Sequence, residues 1–210
     1  MPASALEALD RLREGNARFV SDSLKSEAAV GRFRRQEVAT RQDPFAIILG
    51  CSDSRVPGEI IFDQGLGDLF VIRVAGNIVA SSQIGSIEFA AERFGTRLVV
   101  VLGHSYCGAV GATLEELGRP SEAQSRNLRS IVDRIRPAIE PLLEAGAANL
   151  PPAELMTLAV RANIRASVNQ LRNSSQILEQ LVQKDRLLVV GAEYSLDTGD
   201  VDFFEGVPDR

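Results

Sequence analysis

The segment LVVVLGHSYCG, residues 98–108, joins a short apolar run to a turn that carries a histidine and a cysteine. Three other runs are equally short and apolar: Phe45–Leu49, Leu69–Ile72 and Leu187–Val190. Because polar residues do not alternate with the apolar ones, the four runs predict strands that are covered on both faces. Helical periodicity is found in four other segments: 81–94, 109–117, 128–143 and 153–171. This order predicts an α/β fold in which helices flank a central, mostly parallel sheet of four or five strands.

The two ends of the chain add one element each to this prediction. Leu6, Leu9, Leu12 and Phe19 recur at helical spacing, which predicts an N-terminal helical arm within residues 1–40, before an α/β core over residues 41–210. The pattern does not show whether the arm packs on its own domain or on a second subunit. Near the other end, a turn precedes Val201–Phe204, which is interpreted as an edge strand. Without repeats or linkers, the chain is predicted to form a single domain over residues 1–210.

Composition excludes several classes of protein. The chain has 210 residues with 23 basic and 28 acidic side chains, so its net charge of -5 argues against a protein that coats nucleic acid. Two cysteines are too few for a disulfide-framed secreted module. The N-terminal residues are charged and helix-patterned, without the apolar stretch of a leader, and the apolar runs are too short to span a bilayer. We therefore expect a cytoplasmic protein that binds neither nucleic acid nor membranes.

Every histidine and cysteine in the chain lies at the end of a predicted strand. Cys51 follows the first strand directly, and His104 and Cys107 follow the third in an H-x-x-C turn. The carboxyl ends of parallel strands meet at one rim of the sheet, where open α/β sheets place their ligand sites. Two thiolates and an imidazole match zinc, and three protein ligands leave a fourth position open, as in catalytic zinc sites. The sequence therefore predicts a catalytic zinc site.

Simpler interpretations exist for each of these residues. A single cysteine after a strand is usually an inert apolar residue, and a single histidine is usually a polar residue with its hydrogen bonds satisfied. A disulfide between Cys51 and Cys107 is geometrically conceivable, although an intracellular chain disfavours it. The convergence of all three residues at strand ends favours the metal site over these interpretations.

The segment CSDSRVP, residues 51–57, adds a carboxylate and a guanidinium next to the first ligand. Arg55 is placed to hold Asp53 through two hydrogen bonds, which keeps the carboxylate ionised and able to accept a hydrogen bond from zinc-bound hydroxide. Released from the arginine, Asp53 is the candidate fourth zinc ligand of a closed state. As an isolated D-x-R pair, the two residues would be interpreted as an ordinary surface ion pair.

The combination of C-x-D-x-R at Cys51 with H-x-x-C at His104 and Cys107 resembles the β-class carbonic anhydrases. The similarity runs from about Gln42 to Leu114 and resumes weakly near Tyr194. The resemblance implies that the two cysteines and the histidine bind Zn²⁺ and that Asp53 and Arg55 are the catalytic, switching pair. It also implies the activity of a carbonate dehydratase: reversible hydration of CO₂ to bicarbonate and a proton by attack of zinc-bound hydroxide.

The same resemblance implies a substrate site. The family's substrate positions match Gln42, Phe70, Ala75, Phe89 and the backbone N–H of Gly108. The family usually has a larger residue than alanine at the third position and often has tyrosine at the fourth. Because the apolar pocket of the family lies partly across a subunit interface, the resemblance implies a homodimer or homotetramer.

One branch of the family binds regulatory bicarbonate near an arginine, a tyrosine and a tryptophan. Arg73 and Tyr194 match the first two positions, but Ile48 stands where the tryptophan would be, and the chain has no tryptophan. This difference, together with Gln42, favours the branch with an open zinc.

Three alternatives stay open from the sequence. A hydrolase of carbonyl sulfide or carbon disulfide would use the same fold and zinc motif. A non-catalytic zinc-binding regulatory homologue would have little need of Gln42, Asp53 and Arg55 together. A nucleotide-binding module is the weakest alternative, because Gly65–Gly67 is only a G-x-G motif that precedes a strand. Three asparagines of the long predicted helix have no assigned role: Asn163, Asn169 and Asn173.

Overall fold

The computed structural model describes residues 3–25, 31–118, 125–184 and 186–208, and within them five strands form one sheet. The strands are β1 (Ala46–Gly50), β2 (Leu69–Arg73), β3 (Leu98–His104), β4 (Leu188–Tyr194) and β5 (Val201–Glu205). Their order is β2-β1-β3-β4-β5, with β1 to β4 parallel and β5 antiparallel at the edge. The predicted α/β class, with its mostly parallel sheet and edge strand, is confirmed.

Helices connect the strands and cover both faces of the sheet. They are α1 (Ala5–Val20), α2 (Arg32–Glu37), α3 (Gly58–Ile61), α4 (Ser81–Arg93), α5 (Gly108–Gly118), α6 (Arg126–Glu144), α7 (Pro152–Asn173) and α8 (Gln176–Lys184). All four segments with helical periodicity are helical, and α7 begins with a proline at its first position, where no intrahelical N–H bond is lost. Of the predicted arm, residues 1–2 and 26–30 lie outside the described residues. No helix of the described ranges combines the length and apolarity that a bilayer crossing requires.

β1 and β3 are buried along their whole length and β4 along most of it, as their continuous apolar runs predict, but in β2 only the first residue is buried because β2 is an edge strand. Ile47 and Leu49 of β1 face the core formed with α4 to α8, whereas Ile48 faces the opposite core. Leu9 and Leu12 of α1 lie in that second core and are almost fully buried. The N-terminal helix therefore packs on its own domain, a choice that the sequence left open.

The strand order places a crevice beside β1. The chain passes from β1 to β2 on one side and then returns to β3 on the other, so the order reverses next to β1. Ligands of open α/β sheets bind outside the carboxyl ends of strands at such a reversal. Gly50 pairs with Leu102, so Cys51 lies at the same level as the end of β3. His104 is itself the last residue of β3, so the strand ends one residue later than the sequence predicts.

Candidate metal centre

Cys51, His104 and Cys107 converge at the carboxyl ends of β1 and β3. Their ligand atoms all lie within 4.8 Å of one another, and all three residues are buried. Cys51 directly follows β1, His104 ends β3, and Cys107 immediately precedes α5. The structure therefore brings the three predicted ligands together at one rim of the sheet.

The imidazole of His104 is oriented as a metal ligand. Its Nδ1 atom lies 2.9 Å from the carbonyl oxygen of Ser105, and because a carbonyl only accepts, Nδ1 must donate. The neutral ring then presents a lone pair at Nε2, which is buried and has no hydrogen-bond partner among the described residues. An unpaired buried polar atom costs about 1–3 kcal/mol. A metal ion fits this atom, because metal-binding histidines usually donate their other ring nitrogen to a carbonyl or carboxylate oxygen in this way.

The two cysteines are free and buried. The neighbouring Cys107 side chain lowers the pKa of Cys51, and Cys51 in turn raises the pKa of Cys107. Backbone N–H groups of Asp53, at 3.4 Å, and Gly76, at 3.3 Å, donate to Cys51 Sγ. Thiolates are the metal-binding form of cysteine, so two sulfurs and an imidazole favour a soft cation such as zinc.

Asp53 is held by Arg55 at the edge of the cluster. Arg55 Nε and Nη2 donate to the two carboxylate oxygens at 2.9 and 2.8 Å, and the Arg55 backbone N–H donates at 3.0 Å. These bonds to Arg55 hold the pKa of Asp53 well below its usual range. Asp53 Oδ2 lies 3.9 Å from His104 Nε2. An ionised carboxylate is thus fixed beside the candidate ligands, with its two oxygens engaged by the arginine.

Arg73 holds the backbone of the loop that carries Cys51 and Asp53. Its guanidinium donates to the carbonyl oxygen of Cys51 at 2.9 Å and to that of Asp53 at 2.6 Å. The sequence matched Arg73 only with a regulatory position of another branch and missed this role. The sequence signal for this role was a charged residue at the end of the β2 run. In the structure, Arg73 pairs with Gly50, the residue directly before the first candidate ligand.

The H-x-x-C turn is held by the loop between β4 and β5. Ser105 donates its backbone N–H to the Tyr194 carbonyl at 3.0 Å and accepts at Oγ from the Leu196 N–H at 2.9 Å. Tyr106 has a left-handed backbone with φ of 56°, and the neighbouring Asp197 side chain raises the pKa of its phenol. These contacts fix the turn between the two ligands, and no local pattern in the sequence indicates them.

Of four predicted substrate residues, Ala75 and Gly108 lie beside the cluster, whereas Phe70, paired with Ile47 in the amino half of β1, does not. Phe70 of β2 and Phe89 of α4 have ring centroids 6.3 Å apart, and Phe89 is 53% exposed. Ala75 begins a short 3₁₀ turn, residues 75–77, beside the Gly76 N–H that contacts Cys51. Gly108 is the exposed first residue of α5, directly after Cys107.

The fifth predicted substrate residue, Gln42, is distant from the cluster within the chain. It is exposed and precedes the amino end of β1, whereas Cys51 follows the carboxyl end of the same strand. Gln42 instead lines a surface cavity with residues of the α2–β1 connection and with Leu66 and Gly67. One chain therefore does not bring Gln42 to the metal ligands.

Comparison with known proteins agrees with this geometry. A family model described as carbonic anhydrase matches residues 46–201, which include all three candidate ligands. The chain belongs to the β-carbonic anhydrase family. The carbonic anhydrase of Mycolicibacterium smegmatis is 38% identical over 201 residues, covering 96% of this chain and 92% of that protein. Carbonic anhydrase 2 of Mycobacterium tuberculosis is 36% identical, with coverage of 94% and 90%.

Solved β-carbonic anhydrases share the fold. The structure of the β-carbonic anhydrase CcaA has a TM-score of 0.73 at 26% identity, covering 96% of this chain and 92% of that chain. The Aspergillus fumigatus enzyme CafA has a TM-score of 0.75 at 24% identity, with coverage of 96% and 91%. The curated relatives of the chain are named carbonic anhydrases, and carbonic anhydrases are lyases.

Proposed function

We propose that the chain catalyses the reversible hydration of CO₂ to bicarbonate and a proton, with zinc held by Cys51, His104 and Cys107. The observation that carries the proposal is the buried, unpartnered His104 Nε2 within 4.8 Å of two thiol sulfurs. Membership of the carbonic anhydrase family supports the same reaction. The cytoplasmic location and the homo-oligomeric state stay predictions from the sequence.

The Asp53–Arg55 pair supplies the protein's part of the chemistry. Zinc in such a site lowers the pKa of a coordinated water to about 7, which supplies a nucleophile at neutral pH. With zinc bound, Asp53 would accept a hydrogen bond from that nucleophile and orient it, because Arg55 lowers the pKa of the carboxyl group and keeps it ionised. Arg55 occupies both carboxylate oxygens and so restrains Asp53 from moving onto the metal as a fourth ligand.

The substrate is small, linear and apolar, and the predicted pocket has matching chemistry. The rings of Phe70 and Phe89 pack together as an apolar surface, which lies in the amino half of the sheet because Phe70 pairs with Ile47. The proposal therefore places this surface across the subunit interface that the family resemblance implies. Gln42 and the N–H of Gly108 are the donors for the oxygens of the developing bicarbonate. Since Gln42 is distant from the ligands of its own chain, the proposal places it in the site of a second copy, which makes a homodimer the minimal active unit.

The proton released by CO₂ hydration must leave the site without the help of a second histidine, because His104 is the only histidine in the chain. A ligand that donates its other nitrogen to the Ser105 carbonyl is not free to carry protons. We expect transfer to water and external buffer, so turnover should rise with buffer concentration.

Stopped-flow CO₂ hydration over about pH 6.5 to 9, with zinc quantified on the same sample, tests the proposal. The expected result is one zinc per chain and rapid hydration, both lost in Cys51→Ala. Parallel assays with carbonyl sulfide and carbon disulfide separate the competing hydrolase. Zinc binding without any CO₂ turnover would instead indicate the non-catalytic homologue, and undiminished zinc in Cys51→Ala would contradict the assigned ligand set.

A further inference from the structure

A stripe of polar side chains on α7 faces the short turn after β2. Asn163 Nδ2 donates to the Gly76 carbonyl at 2.8 Å, Ser167 Oγ donates to the Asn77 carbonyl at 3.2 Å, and Gln170 Nε2 donates to the Val79 carbonyl at 3.4 Å. Residues four and three apart lie on one face of a helix, so the three donors form a continuous row. Asn163 is only 2% exposed, which makes its bond to Gly76 a buried one.

The turn that receives these bonds is held in an unusual conformation. Gly76 has φ of 68° and Asn77 has φ of 44°, both in the left-handed region that L side chains disfavour. A Cβ atom at Gly76 would lie 2.7 Å from Ile135 Cδ1 and 3.1 Å from the Ala109 Cβ. The turn therefore depends on glycine at this position and on external contacts to keep its shape.

Gly76 links this turn to the metal ligands. Its backbone N–H donates to Cys51 Sγ at 3.3 Å, while its carbonyl accepts from Asn163. The two bonds lie on either side of the Gly76 Cα atom, so together they fix its orientation. An N–H aimed at a cysteine sulfur stabilises negative charge on it, so the Gly76 N–H favours Cys51 as a metal ligand.

We propose that Asn163 is a positioning residue, which holds the Gly76 N–H on the Cys51 sulfur and thereby slows the release of zinc. The inference rests on the proposed zinc site. Asn163 contacts no ligand itself and acts through one backbone residue. Loss of an outer partner of a metal ligand typically costs about 10–100-fold in metal affinity.

The chain offers a matched control on the opposite side of the sheet. Asn16 of α1 is also buried and donates through Nδ2 to two backbone carbonyls, those of Ile61 at 3.3 Å and Gly199 at 2.8 Å. Its Oδ1 atom accepts from the Val201 N–H at 2.9 Å. Asn16 thus makes at least as many bonds as Asn163; they end at α3 and at the β5 end of the β4–β5 loop, and none goes to residues 51–57 or 104–108.

The experiment measures zinc release from the folded holoenzyme to a chromophoric chelator at pH about 7.5, with unfolding temperature recorded in parallel. Asn163→Ala is expected to release zinc about tenfold faster or more than the wild type. Asn16→Ala is expected to lower the unfolding temperature at least as much while its zinc release stays within about twofold of the wild type. Equal release rates in the two variants, or rates that follow the loss of stability alone, would overturn the inference.

Two further measurements keep the test decisive. If Asn163→Ala does not fold, Asn163→Ser replaces it, with the same expectation in the same direction. In wild-type protein loaded with a magnetically active cadmium isotope, the Gly76 amide proton should show scalar coupling to the metal through its bond to sulfur. Absence of that coupling would contradict the inference. A wild-type protein that binds no zinc would contradict the proposed function itself, whereas normal zinc binding with unchanged release in the Asn163 variant would contradict only the role of Asn163.

Discussion

At the scale of single residues, the Asp53–Arg55 pair is the part of the site where one substitution should separate activity from zinc binding. Arg55→Ala removes all side-chain bonds from Arg55 to the Asp53 carboxylate, which is then free to move toward the metal. We expect CO₂ hydration near pH 7 to fall by about 100-fold or more while zinc is retained, since general acid–base groups contribute about 10²–10⁴-fold. Stopped-flow assays with metal quantification measure both quantities.

Two variants control for the arginine itself. Arg55→Lys keeps the positive charge but cannot form bidentate hydrogen bonds with the carboxylate, so its activity should lie between those of Arg55→Ala and the wild type. Arg136→Ala breaks partly exposed ion pairs with Asp133 and Glu140 on α6 and should leave hydration unchanged. Full activity of Arg55→Ala at neutral pH would show that the pair has no switching role.

The same pair predicts a pH dependence of stability. Because Arg55 lowers the pKa of Asp53 in the folded state, the resulting stabilisation is present above the unfolded value of about 3.9 and is lost as the pH falls through the folded value. In Arg55→Ala the folded pKa rises toward the ordinary value. For zinc-free proteins, the gap in unfolding temperature between wild type and variant should be largest near neutral pH and should narrow progressively as the pH falls below about 4. A gap that is constant with pH would contradict this origin.

At the scale of elements, the packing of α7 against the sheet depends on a glycine in β3. A Cβ atom at Gly103 would lie 2.5 Å from Ile164 Cδ1, so Gly103→Ala must push α7 away from the strand that ends in His104. We expect a loss of about 1–3 kcal/mol in the free energy of unfolding, the usual cost of overpacking a core. Denaturant unfolding of the zinc-free protein measures it.

The control for this substitution lies within α4. A Cβ atom at Gly85 would meet no described atom within 4 Å, and alanine favours a helix interior. Gly85→Ala should therefore leave stability unchanged or raise it by about 0.5–1 kcal/mol. Equal effects of the two substitutions would show that contact with Ile164 is not the cause.

The sequence predicts the strands and the candidate ligands better than it predicts helix boundaries and long-range hydrogen bonds. Buried parallel strands were predictable because each is a continuous apolar run, and the three ligands because each follows such a run. The start of α6 at Arg126, two residues before the predicted Leu128, follows from the Ser125 side chain, which accepts from the Leu128 N–H. The bond between Asn163 and Gly76 joins residues 87 positions apart, and no local periodicity carries that information.

At the scale of the whole molecule, the position of Gln42 determines what a complete site requires. Gln42 and Cys51 lie beyond opposite ends of β1, and five residues at about 3.3 Å each separate those ends by roughly 17 Å. A glutamine that far from the ligands cannot donate to a substrate bound at them. If Gln42 serves the reaction, as the family resemblance implies, it serves the site of another copy of the chain.

Subunit mixing tests this arrangement directly. Gln42→Ala should retain zinc but lose most of its activity, and Cys51→Ala should lose both. Refolding the two variants together in equal amounts gives mixed dimers, in which Cys51→Ala supplies Gln42 to the intact metal site of its partner. Since half of the dimers are mixed and each restores one of two sites, activity should recover to about a quarter of the wild-type value. Recovery no greater than the average of the separate variants would show that Gln42 is not shared between subunits, and Gln42→Ala with full activity would remove it from the site altogether.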